Sequence, residues 1–285
     1  MSEEDIVKVE NLTVCFGNFT AVDNLSFTVK RGEIFGFLGP NGAGKTTSIR
    51  AMTTLLKPTS GRILIDGHDS SSESLEARKC IGISQQHISL DNEATVRQNI
   101  KYHGLLHKIP AGVMKERVLE LSDKLGLEEH MDKKLELLSG GWKRKASIVC
   151  SVLHRPSILF LDEPTAGLDT KSRHLLWDLV RVLNSEGTTI VLTTHYIEEA
   201  EALCGRVAII DRGKMMAIGT VDELRESVGK ISVDVTEGNK VSTRHFRTKE
   251  EAREFAEGLG DAFHTVRRTS LEDVFLEITD RRMEP

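Results

Sequence analysis

The run Gly39-Pro40-Asn41-Gly42-Ala43-Gly44-Lys45-Thr46 constrains this chain more than any other segment. It fits G-x-x-x-x-G-K-[ST], a loop built to hold phosphate. Glycines let the backbone turn tightly and bring N–H groups against an anion with no Cβ in the way. A helix opening at the end of the loop presents its positive pole to the same charge. Lys45 adds a full charge near the β- and γ-phosphates, and Thr46 offers a hydroxyl to Mg2+. At average residue usage the pattern arises by chance in a chain of this length about 1 % of the time. Its surroundings also fit: Ile34–Leu38 reads as a short apolar strand before the loop. After it, Ile49, Met52, Leu55 and Leu56 recur at helical spacing, with Pro58 and Gly61 ending the helix.

A second strand end carries acids. Ile158-Leu159-Phe160-Leu161 runs into Asp162-Glu163, and the carboxyl ends of strands in parallel α/β sheets are where ligands sit. Asp162 suits Mg2+ through water, and Glu163 suits polarisation of the water that attacks the γ-phosphate, help typically worth ~10²–10⁴ in rate. Four bulky apolar residues before the pair argue against surface exposure.

Elsewhere, residues 6–16 and 25–30 read as strands joined by a turn near Gly17–Asn18, and Ile63–Ile65 as another. From Ile88 to Leu153 the texture is helical, with Val118, Leu121 and Leu125 at three- and four-residue steps. Leu175, Leu176, Leu179, Val180 and Leu183 line one helical face, with Trp177 at its edge, and Thr188–Thr193 is a buried strand. Val207–Asp211 and Lys214–Ile218 read as a hairpin around Arg212–Gly213, and Thr220-Val221-Asp222-Glu223 as a capping box. Beyond Gly229 the pattern changes to a strand at Ile231–Val235 and amphipathic helices at 248–259 and 270–278. The expected layout is a phosphate-binding domain over 1–226, with a helical subdomain over about 88–153, and a small α+β domain over 227–285.

Bulk properties narrow the function. The net charge of −5 disfavours nucleic acid. Met1–Glu10 is acidic and unlike a signal peptide, and no run approaches the roughly 18 apolar residues of a spanning helix, so a membrane role needs a partner. Cys15, Cys80, Cys150 and Cys204 are too scattered for a zinc site. His103 and His107 lack a third ligand and read as a solvated face, as does the basic run Lys143-Arg144-Lys145.

Taken in order, the motifs resemble the ATP-binding domains of ABC transporters. Leu138-Ser139-Gly140-Gly141 looks like the signature motif, with Trp142 where Gln is usual. Asp162-Glu163-Pro164-Thr165 and Ala166-Gly167-Leu168-Asp169 resemble Walker B and the D-loop; His195 resembles the switch histidine. Gln86 looks like the Q-loop glutamine, with Gln85 as alternative, and Phe16 like the adenine-stacking ring, with Phe19 as alternative. Gly36-Phe37-Leu38 and the terminal Ser270-Leu271-Glu272-Asp273-Val274-Phe275 bring the resemblance closer to drug-export ATPases.

The resemblance implies an α/β, RecA-like P-loop NTPase core with an N-terminal antiparallel β-subdomain, a helical insertion and a small C-terminal α+β domain. Catalysis would fall to Glu163, His195 and Lys45. ATP would lie on Phe16, Gly39–Thr46, Thr47, Gln86, Ser139, Gly140, Gly141 and Asp169, and Mg2+ on Thr46, Gln86 and Asp162. The implied partners are a second copy and a membrane permease, at the cytoplasmic face of the membrane.

Overall fold

The computed structural model describes residues 4–238, 240–260 and 262–280. The readings of the N-terminus and of the outer ends of the ranges 1–226 and 227–285 reach into residues 1–3 and 281–285, outside the described residues. Two long strands, β1 (Asp5–Phe16) and β2 (Phe19–Lys30), form an antiparallel hairpin. Its inward positions, among them Val7, Val9, Leu25 and Val29, are buried, the alternation of a half-covered sheet. β4 (Ser60–Ile65) pairs with β1, and β5 (His68–Asp69) with β4.

The central sheet has six strands in the order β10-β9-β3-β8-β7-β6. Parallel to one another are β3 (Ile34–Leu38), β6 (Ile81–Ser84), β7 (Ile158–Asp162), β8 (Thr189–Thr194) and β9 (Arg206–Asp211). β10 (Lys214–Thr220) turns back on β9. Every residue of β3, β7 and β8 is buried, because both faces of the sheet are covered. One core is shared by the antiparallel sheet, α1 (Lys45–Met52) and the central sheet. Phe27, Phe35 and Phe37 pack there edge to face or stacked. α2 (Ser74–Cys80) adds Ala77 to it.

A larger core lies under α3 (Val96–Leu106), α4 (Ala111–Leu125), α5 (Gly140–Val152), α6 (Thr170–Ser185), α7 (Ile197–Leu203) and α8 (Val221–Val228). Last come β11 (Ile231–Glu237), β12 (Lys240–Phe246), α9 (Lys249–Gly258), β13 (His264–Arg268) and α10 (Leu271–Asp280). These three strands make a separate antiparallel sheet, with a small core of Ile231, Val233, Val235 and Ala252. α10 instead buries Leu271 and Val274 in the larger core beside Leu224.

Several expectations change. α1 stops at Met52, not at Pro58: Thr54 takes φ 61° and the Thr53 hydroxyl caps the Ile49 carbonyl at 2.8 Å, leaving Leu55 half exposed. Leu175 is 42 % exposed and does not join the buried face of α6. Trp177 does, because its indole N–H finds the buried Glu199 carboxylate at 3.1 Å. His107 is not simply solvated; it stacks on His154 with centroids 3.9 Å apart. Among the described residues no group of acids, histidines and cysteines could hold a metal by itself.

Candidate functional site

Three parallel strands end side by side, with Leu38 level with Thr194 and Asp162 level with Thr193. The segments that follow β3, β7 and β8 therefore meet at one edge of the sheet. After β3 the chain makes the glycine-rich turn. A Cβ on Gly39 would fall 2.2 Å from the Ile210 carbonyl, so nothing larger fits there. Gly42 sits at φ 83° with open space in front of it, room for an anion rather than a packed side chain.

Lys45, only 4 % exposed, donates from Nζ to the Gly39 carbonyl at 2.8 Å and the Pro40 carbonyl at 3.0 Å, 3.3 Å from Glu163 Oε1. Burial lowers its pKa, and the neighbouring Glu163 and Asp162 charges oppose that shift. Such an ammonium gains from any further anion brought into the loop.

After β7, Glu163 adopts φ 46°, left-handed for a non-glycine residue, a conformation that costs about 1–3 kcal/mol and persists only where its surroundings enforce it. Its N–H is held by the Thr193 carbonyl at 3.1 Å and the Thr193 hydroxyl at 3.0 Å. Its buried carboxylate is ringed by three groups. Besides Lys45 at Oε1, Gln86 Nε2 stands 3.4 Å and His195 Nδ1 3.2 Å from Oε2. The histidine contact is close but not aligned as a hydrogen bond.

Asp162 Oδ1 accepts from Thr46 Oγ1 at 3.1 Å and Thr193 Oγ1 at 2.6 Å. A hydroxyl, a carboxylate and the Gln86 amide oxygen are all hard oxygen donors, and this set fits Mg2+. Thr193 was not singled out from sequence; a threonine inside an apolar strand gives no local signal of this role.

The cleft above these groups has a volume of about 550 Å3. Asn41–Thr47, Gln86, Glu163 and His195 line it, with Phe16 and Phe19 at its mouth. Both rings are more than half exposed, as a stacking platform requires. Gln86, not Gln85, faces the cleft.

Ser139, Gly140, Gly141 and Asp169 are not among the lining residues. They form a second group. Ser139 is exposed at the N-cap of α5. A Cβ on Gly141 would lie 2.9 Å from Ser172, in the first turn of α6, which Asp169 caps by accepting from the Ser172 N–H at 2.9 Å. The Lys143–Lys145 run is not a solvated face: Arg144 is 4 % exposed, with its guanidinium on the carbonyls of Gln85 and Gln86.

Residues 22–166 match the protein-family model described as ABC transporter. The daunorubicin resistance ATP-binding protein DrrA3 of Streptomyces coeruleorubidus is 42 % identical over 229 residues, 80 % of this chain and 72 % of that protein. A solved ATP-binding subunit of an ABC transporter superposes with a TM-score of 0.74 at 25 % identity, covering 96 % of this chain and 99 % of the other. The dimeric, post-hydrolysis structure of the ATP-binding cassette MJ0796, bound to ADP and Pi, gives a TM-score of 0.68 at 27 % identity over 75 % and 98 %.

Proposed function

Because the chain belongs to the ATP-binding domains of the ABC transporter family, we propose that two copies join head to tail around two ATP molecules and drive a membrane permease. Nucleotide binding and ATPase activity belong to the family. The observation that carries the residue assignment is the ring of Lys45, Gln86 and His195 around the Glu163 carboxylate, at the end of the phosphate loop.

In this reading the N–H groups and side chain of the loop bind the phosphates, and Phe16 stacks on adenine. Glu163 polarises the attacking water, while His195 and Gln86 keep the carboxylate and that water in line. Thr46, Asp162 and Gln86 would hold Mg2+, which supplies charge neutralisation on the phosphates when bound. Ser139, with the N–H groups of Gly140 and Gly141 at the start of α5, offers an outward-facing anion site to the γ-phosphate of the second copy, and Asp169 communicates between the sites.

Several further assignments complete the reading. Residues 1–226 form the ATPase domain, with the helical subdomain near 88–153 presenting the permease groove, and 227–285 a small domain supporting the pair. Among the described residues no helix is long and apolar enough to cross a membrane; in this reading the chain works at the cytoplasmic face through the permease. The drug-resistance relative supports export of a small hydrophobic compound.

The test is Glu163→Gln. With ATP and Mg2+ the variant should bind nucleotide, turn over less than about a hundredth as fast as the wild type, and double its mass by light scattering. Wild-type turnover would remove Glu163 from its role. An unchanged mass would remove the two-copy arrangement.

A further inference from the structure

Helix α5 carries a polar stripe on the side facing β6. Just past the helix, His154 Nε2 lies 3.0 Å from the Ile81 carbonyl. Ser151 Oγ donates to the Ile83 carbonyl at 2.6 Å, and Ser147 Oγ lies 3.0 Å from Ser84 Oγ. Arg144 donates from Nη1 to the Gln85 carbonyl at 2.5 Å and from Nη2 to the Gln86 carbonyl at 2.7 Å.

The steps 144, 147, 151 and 154 follow one helix face. Their partners run in the opposite order, from Gln86 back to Ile81. α5 is thus stitched antiparallel along β6 and the segment that follows it. The approach is close: a Cβ on Gly82 would fall 2.5 Å from the Ser151 carbonyl. Apolar packing alone is non-directional, whereas a row of hydrogen bonds fixes how far the helix sits along the strand.

What lies at the end of this seam gives it a use. Arg144 stands one helical turn from Gly140. The carbonyls it holds belong to the segment whose Gln86 amide faces Glu163. Burying a guanidinium is costly, and here its hydrogen bonds go to two backbone carbonyls. Burial lowers its pKa, while the charges of Asp162 and Glu199 favour its cationic form.

We propose that Arg144 is a positioning residue that couples the two ATP sites, making Gln86 and the Ser139–Gly141 motif of one chain move as a single body. A chain that has organised its own cleft thereby sets how it presents Ser139 to the second copy. This rests on the two-copy reading above.

The test uses the full chain and two variants. Arg144→Met keeps an unbranched side chain and loses every donor; Arg144→Lys keeps the charge and one donor group. The measurements are thermal unfolding, binding of a fluorescent ATP analogue at concentrations where the chain is monomeric, and turnover against ATP. Arg144→Met should remain folded and bind the analogue within about twofold of wild type, yet lose about tenfold to a hundredfold in kcat. Its Hill coefficient should fall from near 2 to about 1, and Arg144→Lys should recover part of both. Wild-type kcat and cooperativity in a folded Arg144→Met would overturn the proposal. So would a loss of monomer binding that matches the loss of kcat, since Arg144 would then only shape the cleft. If Arg144→Met does not fold, the decision passes to Arg144→Lys, where reduced cooperativity with intact binding supports the coupling and wild-type behaviour overturns it. A wild-type Hill coefficient of about 1 in a chain whose mass doubles with ATP would overturn the coupling, whereas a mass that does not double would remove the two-copy reading itself.

Discussion

Glu163 shows how much of this chemistry depends on one backbone angle. An ordinary strand continuation would carry its carboxylate elsewhere; at φ 46°, with its N–H fixed by Thr193, it faces Lys45, Gln86 and His195 together. Lys45 is the full positive charge of the loop, and its ammonium now rests on carbonyls and on Glu163. Lys45→Ala is therefore expected to weaken ATP binding by about 1.5–3 kcal/mol, the range for hydrogen bonds to charged groups, equivalent to roughly ten- to a hundredfold in Kd. Calorimetric titration with ATP checks this, and unchanged affinity would strip Lys45 of its role. Lys45, Glu163 and His195 could each be read from local motifs. Their convergence on one carboxylate could not, because it follows from the order of strands in the sheet. Arg144 was misread for a related reason. A basic triplet on a helix gives no sign that its middle member faces another element.

At the scale of elements, the buried parallel strands and the phosphate loop were legible because each is a local pattern. The segments that escaped are short or polar. β6 has four residues, α2 and α7 seven each, and β12 is largely exposed, so it lacks an apolar alternation to read. The joint between β13 and α10 makes a pH prediction. Burial alone would raise the pKa of Asp273, but hydrogen bonds from Arg267 and from the Ser270 N–H and hydroxyl outweigh it and hold the carboxyl well below its usual value. A depressed folded-state pKa contributes stability that is complete above the ordinary aspartate value of about 4 and is lost as pH falls through the folded value. Thermal unfolding midpoints should therefore fall progressively as the pH is lowered from about 5 to about 2, and Asp273→Asn should flatten that dependence. An equal slope in the variant would show that other carboxylates control the acid limb.

For the whole molecule, the last helix matters more than its place in the chain suggests. α10 buries Leu271 and Val274 in the larger core, and the Leu271 N–H donates to Glu201 on α7, the helix that follows His195. Leu271→Ala should cost about 2–5 kcal/mol and should do so in the unfolding of the ATPase core itself. Of the two tryptophans, Trp177 lies in that core and the partly buried Trp142 packs against it, so their fluorescence in a urea titration reports on that part of the molecule. A tryptophan transition unmoved by the substitution would mean that the terminal helix unfolds independently. Ser139 is exposed and stands outside the cleft of its own chain, and this has an arithmetic outcome under the proposed arrangement. No copy is sufficient by itself, and a defective one spoils the sound one it meets. In a mixed population the working pairs decline as the square of the sound fraction, so a modest dose of inactive chains would silence transport out of proportion to their number.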